Sequence, residues 1–303
     1  MALVGGDIMR ITVFTPTYNR AYIIDELYNS LKKQTFIDFE WLIIDDGSTD
    51  CTYEKVNNWS ADNTKFPIRY YKFENSGKQK EINRALDLAR GELFFTVDSD
   101  DLLTADALDK INQWEKTIPQ CEKFCGFAGS DGDMTGKAIN PIFSEEYVDA
   151  TFFNRYAETG MFIGHDRPWV FYTDVHRQYR YPEFEGEKFI AEAVVWNRMA
   201  KDGYQIRCFN DVIYLIEHQE DGYTKKISQI LIQSPKGYGL WKAEQMSFLK
   251  YGFLRRIKEY YIFYCDLQDK YHWRDIAKYI QASAPVMMFV IIAFKLKHIG
   301  WRK

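Results

Sequence analysis

The sequence predicts an α/β fold in which helices cover both faces of a mostly parallel central sheet. Short apolar segments alternate with amphipathic helical segments through the first hundred residues. Each apolar segment is nearly continuous, as expected of parallel strands that are buried on both faces. From residue 223 onward the apolar spacing is helical, which predicts an aromatic and basic helical extension over 223–303.

The elements follow in order from the apolar spacing. Strands are expected at 11–14, 41–44, 68–71 and 93–97. Helices are expected at about 22–33, after the second strand up to about residue 59, and at 78–90. Later segments predict helices at 102–117 and 189–199 and strands at 124–129 and 213–216. We therefore expect one main domain over residues 9–222.

The composition is that of a folded protein. Hydrophobic residues make up 46% and charged residues 27% of the 303 residues, which excludes a disordered chain. The segment from Lys242 to Lys303 contains 12 Lys and Arg but 5 Asp and Glu, so it carries +7 whereas the rest of the chain carries −11. This asymmetry favours an anionic surface as a partner of the tail. No nucleic-acid-binding motif accompanies the charge, so nucleic acid is not an expected partner.

Cysteine usage and the N-terminus indicate the compartment. The five cysteines have no spacing typical of a disulfide framework or a zinc site. The first ten residues, MALVGGDIMR, are too few and too weakly apolar for a signal peptide. We therefore expect reduced thiols in a cytoplasmic protein.

Three polar clusters directly follow predicted strands. They are TPTYNR (15–20), DDGSTD (45–50) and DSDD (98–101), after the first, second and fourth strands. Because ligands of parallel sheets bind outside the carboxyl ends of the strands, we expect these clusters to form a single site.

The DSDD cluster carries the clearest chemical signal. Crowded carboxylates repel one another unless a cation or several donors neutralise them. Mg²⁺ and Mn²⁺ take one or two carboxylates and complete their shell with water and substrate phosphates, which predicts a Mn²⁺ or Mg²⁺ site that binds a diphosphate. The alternative is that Asp98 or Asp101 caps a helix beginning near Leu102, with Asp101 the better candidate.

The other two clusters offer contacts to a nucleotide. Tyr18 provides a stacking face, and Arg20 provides a partner for phosphate or carboxylate. A carboxylate of DDGSTD can accept a hydrogen bond from the imide N–H of uracil or from a ribose hydroxyl. The alternative is structural, with Ser48 or Asp50 capping the following helix.

A wider set of residues resembles the family 2 glycosyltransferases. The three clusters, with QTF (34–36), FEW (39–41), NSGK (75–78), Asn83 and ARGE (89–92), match that family in register over about residues 11–104. The resemblance implies a GT-A fold, a nucleotide-diphospho-sugar donor with UDP-sugar favoured, a divalent cation, and inversion at the anomeric carbon. It also divides the 9–222 domain into a donor-binding part, about 9–104, and an acceptor part, about 105–222.

The resemblance also implies roles for individual residues. The implied donor contacts are Thr15, Tyr18, Arg20, Asp46, Lys78 and Asp98. Tyr18 would lie against the base, and Asp46 would accept a hydrogen bond from it. Lys78 would reach the uridine or the phosphates, Asp98 would approach the ribose or the sugar, and Asp100 would bind the metal.

An inverting enzyme also needs a general base for the acceptor hydroxyl. The family usually provides it in a Glu-Asp pair several residues before an Arg. Aligning Trp196 and Arg198 with that pattern places Glu192 at the Asp of the pair and Ala191 at the Glu. Glu192 is therefore the implied base and Glu187 the second candidate, with an ordinary helix-surface carboxylate as the alternative for either.

Many GT-A enzymes return a late His or Asp to the metal or the diphosphate. By that resemblance, His218 is a candidate metal ligand. The alternative is that His218 is a polar loop residue at the end of the predicted strand.

The C-terminal segment has two interpretations. Residues 284–294 carry no charge but are shorter than the ~20 residues that span a bilayer. Four basic residues and Trp301 follow, as in helices that lie in a membrane interface. Docking of this helix on the core or on a second subunit is the alternative.

We therefore expect an inverting, metal-dependent glycosyltransferase with a saccharide or lipid-linked acceptor, in surface polysaccharide or glycolipid assembly at the inner face of the membrane. Two alternatives are kept. A non-catalytic nucleotide-binding or scaffold member is favoured by Ala191, where the family has Glu. A sugar-1-phosphate nucleotidylyltransferase needs a Gly-rich phosphate loop after the first strand, and TPTYNR is not one.

Overall fold

The structure, a computed structural model, describes residues 8–62, 65–119, 122–156, 159–216 and 223–300. The chain divides into two compact units, Met1–Arg180 with Met199–Glu220, and Tyr181–Arg198 with Asp221–Lys303. The second unit includes residues 181–198, which the sequence-based division assigned to the acceptor part. Each unit has its own hydrophobic core.

The first unit is built on one sheet. Among the described residues, its nine strands are β1 (Met9–Thr17), β2 (Phe39–Asp45), β3 (Ile68–Lys72), β4 (Gly91–Thr96), β5 (Leu102–Leu103), β6 (Phe124–Gly132), β7 (Tyr147–Ala150), β8 (Trp169–Tyr172) and β9 (Gln205–Leu215). Their order is β3-β2-β1-β4-β8-β6-β9-β5, with β7 beside β9.

Most of these strands run in one direction. β1 pairs in parallel with β2 and β4, β2 with β3, and β6 with β9. β8 is antiparallel to both β4 and β6, so β6 and β9 have the same direction as the first four strands. The predicted mostly parallel sheet is confirmed.

Helices pack on this sheet because its strands are apolar on both faces. The helices of the first unit are α1 (Ile24–Lys32), α2 (Thr52–Asp62), α3 (Lys78–Leu88), α4 (Ala107–Trp114) and α5 (Thr173–Gln178). α1 buries Ile24, Leu27 and Leu31 at helical spacing, and its acidic first turn and Lys32 complement the helix dipole. All seven residues of β2 are buried, as expected of a covered parallel strand.

The segment after the DSDD cluster differs from the prediction. β5 follows the cluster and pairs antiparallel with β9, and the next helix begins only at Ala107. The predicted helix at 102–117 is wrong at its start because the cross-strand pairing outweighs the local helical spacing. Asp101 therefore precedes a strand, and its predicted capping role is wrong.

Helices make up the second unit, as predicted for the C-terminal extension. They are α7 (Tyr223–Gln233), α8 (Pro235–Phe248), α9 (Phe253–Leu267), α10 (Trp273–Tyr279) and α11 (Ala284–Gly300), preceded by α6 (Ala193–Lys201), which begins in this unit. α8 starts at Pro235, whose missing N–H has no cost in a first turn. Tyr238, Phe263, Leu267 and Met287 belong to the core of the unit.

None of the helices described is by itself long and apolar enough to cross a membrane. Trp273–Tyr279 and Ala284–Ala293, bent by 119°, meet the length and hydropathy requirement only as a pair.

Candidate active site

Hydrogen bonds join the TPTYNR and DDGSTD loops at the carboxyl ends of β1 and β2. The backbone N–H of Asn19 donates to Oγ of Ser48 at 2.8 Å, and the backbone N–H of Thr49 donates to Oδ1 of Asn19 at 2.8 Å. The N–H of Ala21 donates to Oδ2 of Asp50 at 2.9 Å. Asn19 has a φ of 52°, a left-handed conformation that asparagine tolerates better than most residues. The two loops therefore form one surface.

The DSDD loop lies beside them at the end of β4. The N–H of Val97 donates to the carbonyl of Phe14 at 2.8 Å, which extends the β1–β4 pairing into the loop. Nη2 of Arg20 lies 4.0 Å from Oδ2 of Asp100. The predicted convergence of the three clusters at one edge of the sheet is present, and it places a guanidinium beside the central carboxylates.

Asp46 holds the NSGK segment that leads into α3. Its Oδ1 accepts from the N–H of Ser76 at 2.6 Å, and its Oδ2 accepts from the N–H of Gly77 at 3.0 Å. Gly77 has a φ of 97° and a ψ of 150°, a conformation that essentially only glycine adopts. Lys78 begins the helix, and its Nζ lies 2.8 Å from Oδ1 of Asp98. Both oxygens of Asp46 are therefore engaged inside the protein, and a hydrogen bond from a base would use their remaining lone pairs.

A buried acid lies beneath this segment. Glu81 is 0% exposed and accepts from Oγ of Ser76 at 3.0 Å and from Nη1 of Arg84 at 2.5 Å. Burial, partly offset by Arg84 and reinforced by the Asp46 carboxylate, raises the pKa of Glu81 to about 7. A buried carboxyl group with a raised pKa therefore lies beneath the NSGK segment.

Sequence reasoning missed Tyr214 of β9, which contacts both ends of the DSDD loop. Its hydroxyl accepts from the N–H of Asp98 at 3.0 Å and donates to Oδ2 of Asp101 at 2.8 Å. Burial, followed by the carboxylates of Asp101 and Asp98, raises the pKa of Tyr214 well above its usual value, so this hydroxyl stays protonated. The tyrosine stands within an apolar strand, 113 residues from Asp101, and no local pattern marks it.

Two carboxyl groups of the DSDD loop, those of Asp100 and Asp101, have a raised pKa. Burial and the adjacent Asp98 raise the pKa of Asp100, although Arg20 and Lys78 oppose that shift. Burial and Asp98 also raise the pKa of Asp101 to about 8. A bound cation would relieve both effects.

The donor set suits a hard divalent cation. The described part of the chain contains no group of three or more His, Cys, Asp or Glu able to hold a metal. Mg²⁺ and Mn²⁺ bind through one or two carboxylates together with substrate phosphates, so a single carboxylate at the strand ends is sufficient. The side chain of Asp100 is 21% exposed at this edge and supplies only oxygen ligands, so it suits Mg²⁺ or Mn²⁺. His218, the other predicted ligand, lies outside the described residues.

Two residues of the first cluster differ in their exposure. Thr15 is 0% exposed, and its Oγ1 accepts from Nε1 of Trp41 at 3.0 Å. The side chain of Thr15 therefore lies within the sheet, and the predicted donor contact of this residue could come only from its backbone. Tyr18, by contrast, is 49% exposed directly after β1, where a planar ligand can reach it.

The two candidate bases have different surroundings within the second unit. Glu187 is 9% exposed, and its carboxylate accepts from the N–H of Lys236 at 2.8 Å and of Gly237 at 2.9 Å. It therefore caps α8 at the positive end of that helix. Glu192 is partly exposed and directly precedes α6. The contacts of Glu187 with α8 favour Glu192 as the candidate base.

Comparisons with known proteins agree with this geometry. Among curated relatives, a putative teichuronic acid biosynthesis glycosyltransferase of Bacillus subtilis (strain 168) is 30% identical over 142 residues, or 46% of this chain and 56% of its own. A poly(ribitol-phosphate) beta-N-acetylglucosaminyltransferase of Staphylococcus aureus (strain Mu50) is 37% identical over 102 residues, or 33% of this chain and 18% of its own. The chain thus spans about half or less of the length of these relatives.

Solved structures share the fold. Staphylococcus aureus TarS 1-349 in complex with UDP has a TM-score of 0.60 and 22% identity, covering 84% of this chain and 69% of its own. A mannosyltransferase of Pyrobaculum calidifontis in complex with GDP-Man and Mn²⁺ has a TM-score of 0.56 and 20% identity, covering 94% and 74%. The fold is therefore GT-A. The family model described as glycosyl transferase family 2 matches residues 12–178, more than half of the chain. With the three loops converging at the sheet edge, this match shows that the chain belongs to glycosyltransferase family 2.

Proposed function

We propose that the protein is an inverting, metal-dependent glycosyltransferase that transfers a sugar from a UDP-sugar to an acceptor hydroxyl. The observation that carries the proposal is the meeting of Arg20, Lys78, Asp98 and Asp100 at one edge of the sheet. Two cations beside two carboxylates can bind a diphosphate and its counter-ion together. Tyr18, half exposed at the same edge, gives the base a stacking surface.

The cation would be held by Asp100, with Mn²⁺ or Mg²⁺ as the candidates. Such an ion, when bound, neutralises the charge that develops on the leaving diphosphate. Arg20 and Lys78 would bind the same phosphates and orient them. The mannosyltransferase with this fold that was solved with Mn²⁺ supports the choice of ion.

Glu192 would remove the proton from the acceptor hydroxyl as the oxygen attacks the anomeric carbon. Glu187 does not compete for this role, because its carboxylate accepts two backbone N–H groups of α8. A glutamate in place of the family's aspartate extends the carboxylate by one methylene and leaves its chemistry unchanged.

The decisive experiment measures donor binding and turnover separately. A panel of nucleotide sugars is titrated by calorimetry with and without Mn²⁺, and release of nucleoside diphosphate is followed. Asp100→Ala should abolish metal-dependent turnover and leave the fold intact, while Asp174→Ala, at a carboxylate that is 90% exposed on α5, should behave as wild type. Turnover that persists in Asp100→Ala would contradict the proposal. Nucleotide binding without turnover in wild type would favour the non-catalytic alternative.

We further propose that the acceptor belongs to surface polysaccharide or glycolipid assembly at the cytoplasmic face of the membrane, which α11 contacts. Pro285, Met288, Phe289 and Ile292 are exposed on α11 at spacings of three and four, so an apolar stripe faces outward. The basic residues that follow in the sequence suit anionic headgroups. The similarity to a putative teichuronic acid biosynthesis glycosyltransferase and to a poly(ribitol-phosphate) beta-N-acetylglucosaminyltransferase supports this pathway.

Sedimentation with lipid vesicles tests the membrane contact. Wild type should bind vesicles containing anionic lipid, and Phe289→Glu should reduce that binding. Ile142→Glu, at an exposed apolar residue of the first unit, is the matched control. Equal sedimentation of wild type and Phe289→Glu would exclude α11 as the contact.

A further inference from the structure

The hydroxyl of Tyr214 spans the DSDD loop. It accepts a hydrogen bond from the N–H of Asp98, the first residue of the loop, and donates one to the carboxylate of Asp101, the last. Asp100 lies between these two attachment points. The backbone N–H of Asp101 also donates to the carbonyl of Asp98 at 3.2 Å. The loop is therefore a tight turn, and both of its ends contact the Tyr214 hydroxyl.

The position of the ring is fixed independently of these bonds. Tyr214 is 7% exposed, lies in β9 opposite Leu103 of β5, and packs edge-on against Phe95 of β4 at 6.2 Å. The ring therefore belongs to the core, and only its oxygen reaches the loop. Removing the oxygen would leave the ring packing in place and deprive the N–H of Asp98 and the carboxylate of Asp101 of a partner.

We infer that Tyr214 is a positioning residue that fixes Asp98 and Asp100 for the diphosphate and its cation. The inference rests on the proposed function, because it assigns to Tyr214 the geometry of the proposed donor site. A phenol suits this task because one neutral hydroxyl both donates and accepts, whereas a charged side chain can do only one of these. The hydroxyl thus links β9 to the loop that would receive the donor.

The test compares Tyr214→Phe with Tyr238→Phe. Tyr238 is similarly buried and also donates from its hydroxyl to an aspartate, Asp266, at 2.9 Å, but it lies in the core of the second unit. Binding of UDP with Mn²⁺ is measured by calorimetry, and binding of Mn²⁺ by electron paramagnetic resonance, at a temperature where thermal unfolding shows each variant folded.

Tyr214→Phe should weaken UDP–Mn²⁺ binding at least about tenfold, as expected when hydrogen bonds that hold a binding loop are lost. Tyr238→Phe should lose stability and keep wild-type affinity. Affinity within twofold of wild type in Tyr214→Phe would overturn the inference while leaving the proposed function in place. Wild-type protein that binds no nucleotide would overturn the proposed function, and this inference with it.

A second pair of variants keeps the test decisive if Tyr214→Phe does not fold. Asp101→Asn retains an oxygen that accepts from the Tyr214 hydroxyl, whereas Asp101→Ala removes it. Binding should persist within a few-fold in Asp101→Asn and fall about tenfold in Asp101→Ala. Equal loss in both variants would mean that the charge of Asp101 matters, and it would overturn the positioning role.

Discussion

Nζ of Lys78 lies 2.8 Å from Oδ1 of Asp98, so the first residue of α3 forms an ion pair with the first residue of the DSDD loop. Both side chains are partly exposed, at 24% and 40%. A pair this accessible to solvent contributes little to stability, but its ammonium is available to a phosphate. We therefore expect the ion pair to serve the proposed donor site rather than the stability of the fold.

Replacing Lys78 tests that assignment. Lys78→Met should weaken UDP binding about tenfold and change the free energy of unfolding by no more than about 1 kcal/mol. Lys110→Met, at another partly exposed lysine that pairs with Asp106, is the matched control and should keep wild-type affinity. Unfolding in urea and calorimetric titration measure the two effects separately. Unchanged UDP affinity in Lys78→Met would remove Lys78 from the donor site.

Gly77 predicts a linked loss of stability and binding. Its backbone conformation excludes side chains, and its N–H donates to Asp46. Gly77→Ala should therefore destabilise the protein by about 1–3 kcal/mol and displace Lys78 from Asp98. Gly136→Ala, also at positive φ but with open space around it, is the control. It should show a comparable strain and bind UDP normally. Normal UDP binding in Gly77→Ala would separate the loop conformation from the site.

The two glutamates before α6 should respond differently to loss of charge. Glu192→Gln should lower kcat at least about a hundredfold with little change in donor affinity, as expected for removal of a general base. Glu187→Gln should instead lower the free energy of unfolding by about 0.5–2 kcal/mol, because it removes the anion at the start of α8. Steady-state kinetics and urea unfolding distinguish the outcomes. A variant at Glu192 that keeps its rate would move the base elsewhere.

His176 predicts a specific pH dependence of stability. It is fully enclosed against the rings of Phe94 and Phe171, and neither ring nitrogen has a hydrogen-bond partner among the described residues. Burial, with a smaller effect of Arg180, lowers the pKa of His176 from 6.5 to about 3. Between these values the unfolded chain binds the proton and the folded protein does not. The contribution of His176 to the free energy of unfolding is therefore complete above pH 6.5. It falls by about 1.4 kcal/mol per pH unit as the pH drops toward 3.

Urea unfolding at pH 7.0 and pH 5.5 measures this contribution. His176→Leu lacks the titrating group, so the stability difference between wild type and variant should shift in favour of the variant by about 1–1.5 kcal/mol at pH 5.5. Parallel pH profiles of the two proteins would show that His176 does not account for the dependence.

The parallel half of the sheet could be predicted because its signals are local. Three strands of this half, β1, β2 and β4, are each followed within a few residues by a polar cluster, and parallel strands bring those clusters to one edge. The roles expected for Asp98 and Asp100 came instead from the resemblance to the family 2 glycosyltransferases, and they stay predictions. The burial of the Thr15 side chain was not visible in the sequence, because it depends on the hydrogen bond with Trp41 of the neighbouring strand.

Long-range contacts could not be predicted in the same way. The pairing of β5 with β9 and the hydroxyl of Tyr214 join residues more than a hundred positions apart. Glu187 appears in the sequence as one of several acidic residues, and only the fold brings it to the start of α8. Sequence patterns report local periodicity, whereas these contacts depend on how distant segments pack.

The position of β8 in the sheet has a consequence for how the protein is made. β8 comes late in the chain yet lies between β4 and β6, so β4 keeps an open edge until residue 172 has been synthesised. A nascent chain released at the end of the DSDD loop would expose that edge and its unpaired amides, which invites aggregation. Tyr214 arrives later still. We therefore expect the segment up to the end of the DSDD loop not to fold by itself, and to mature only after most of the chain has left the ribosome.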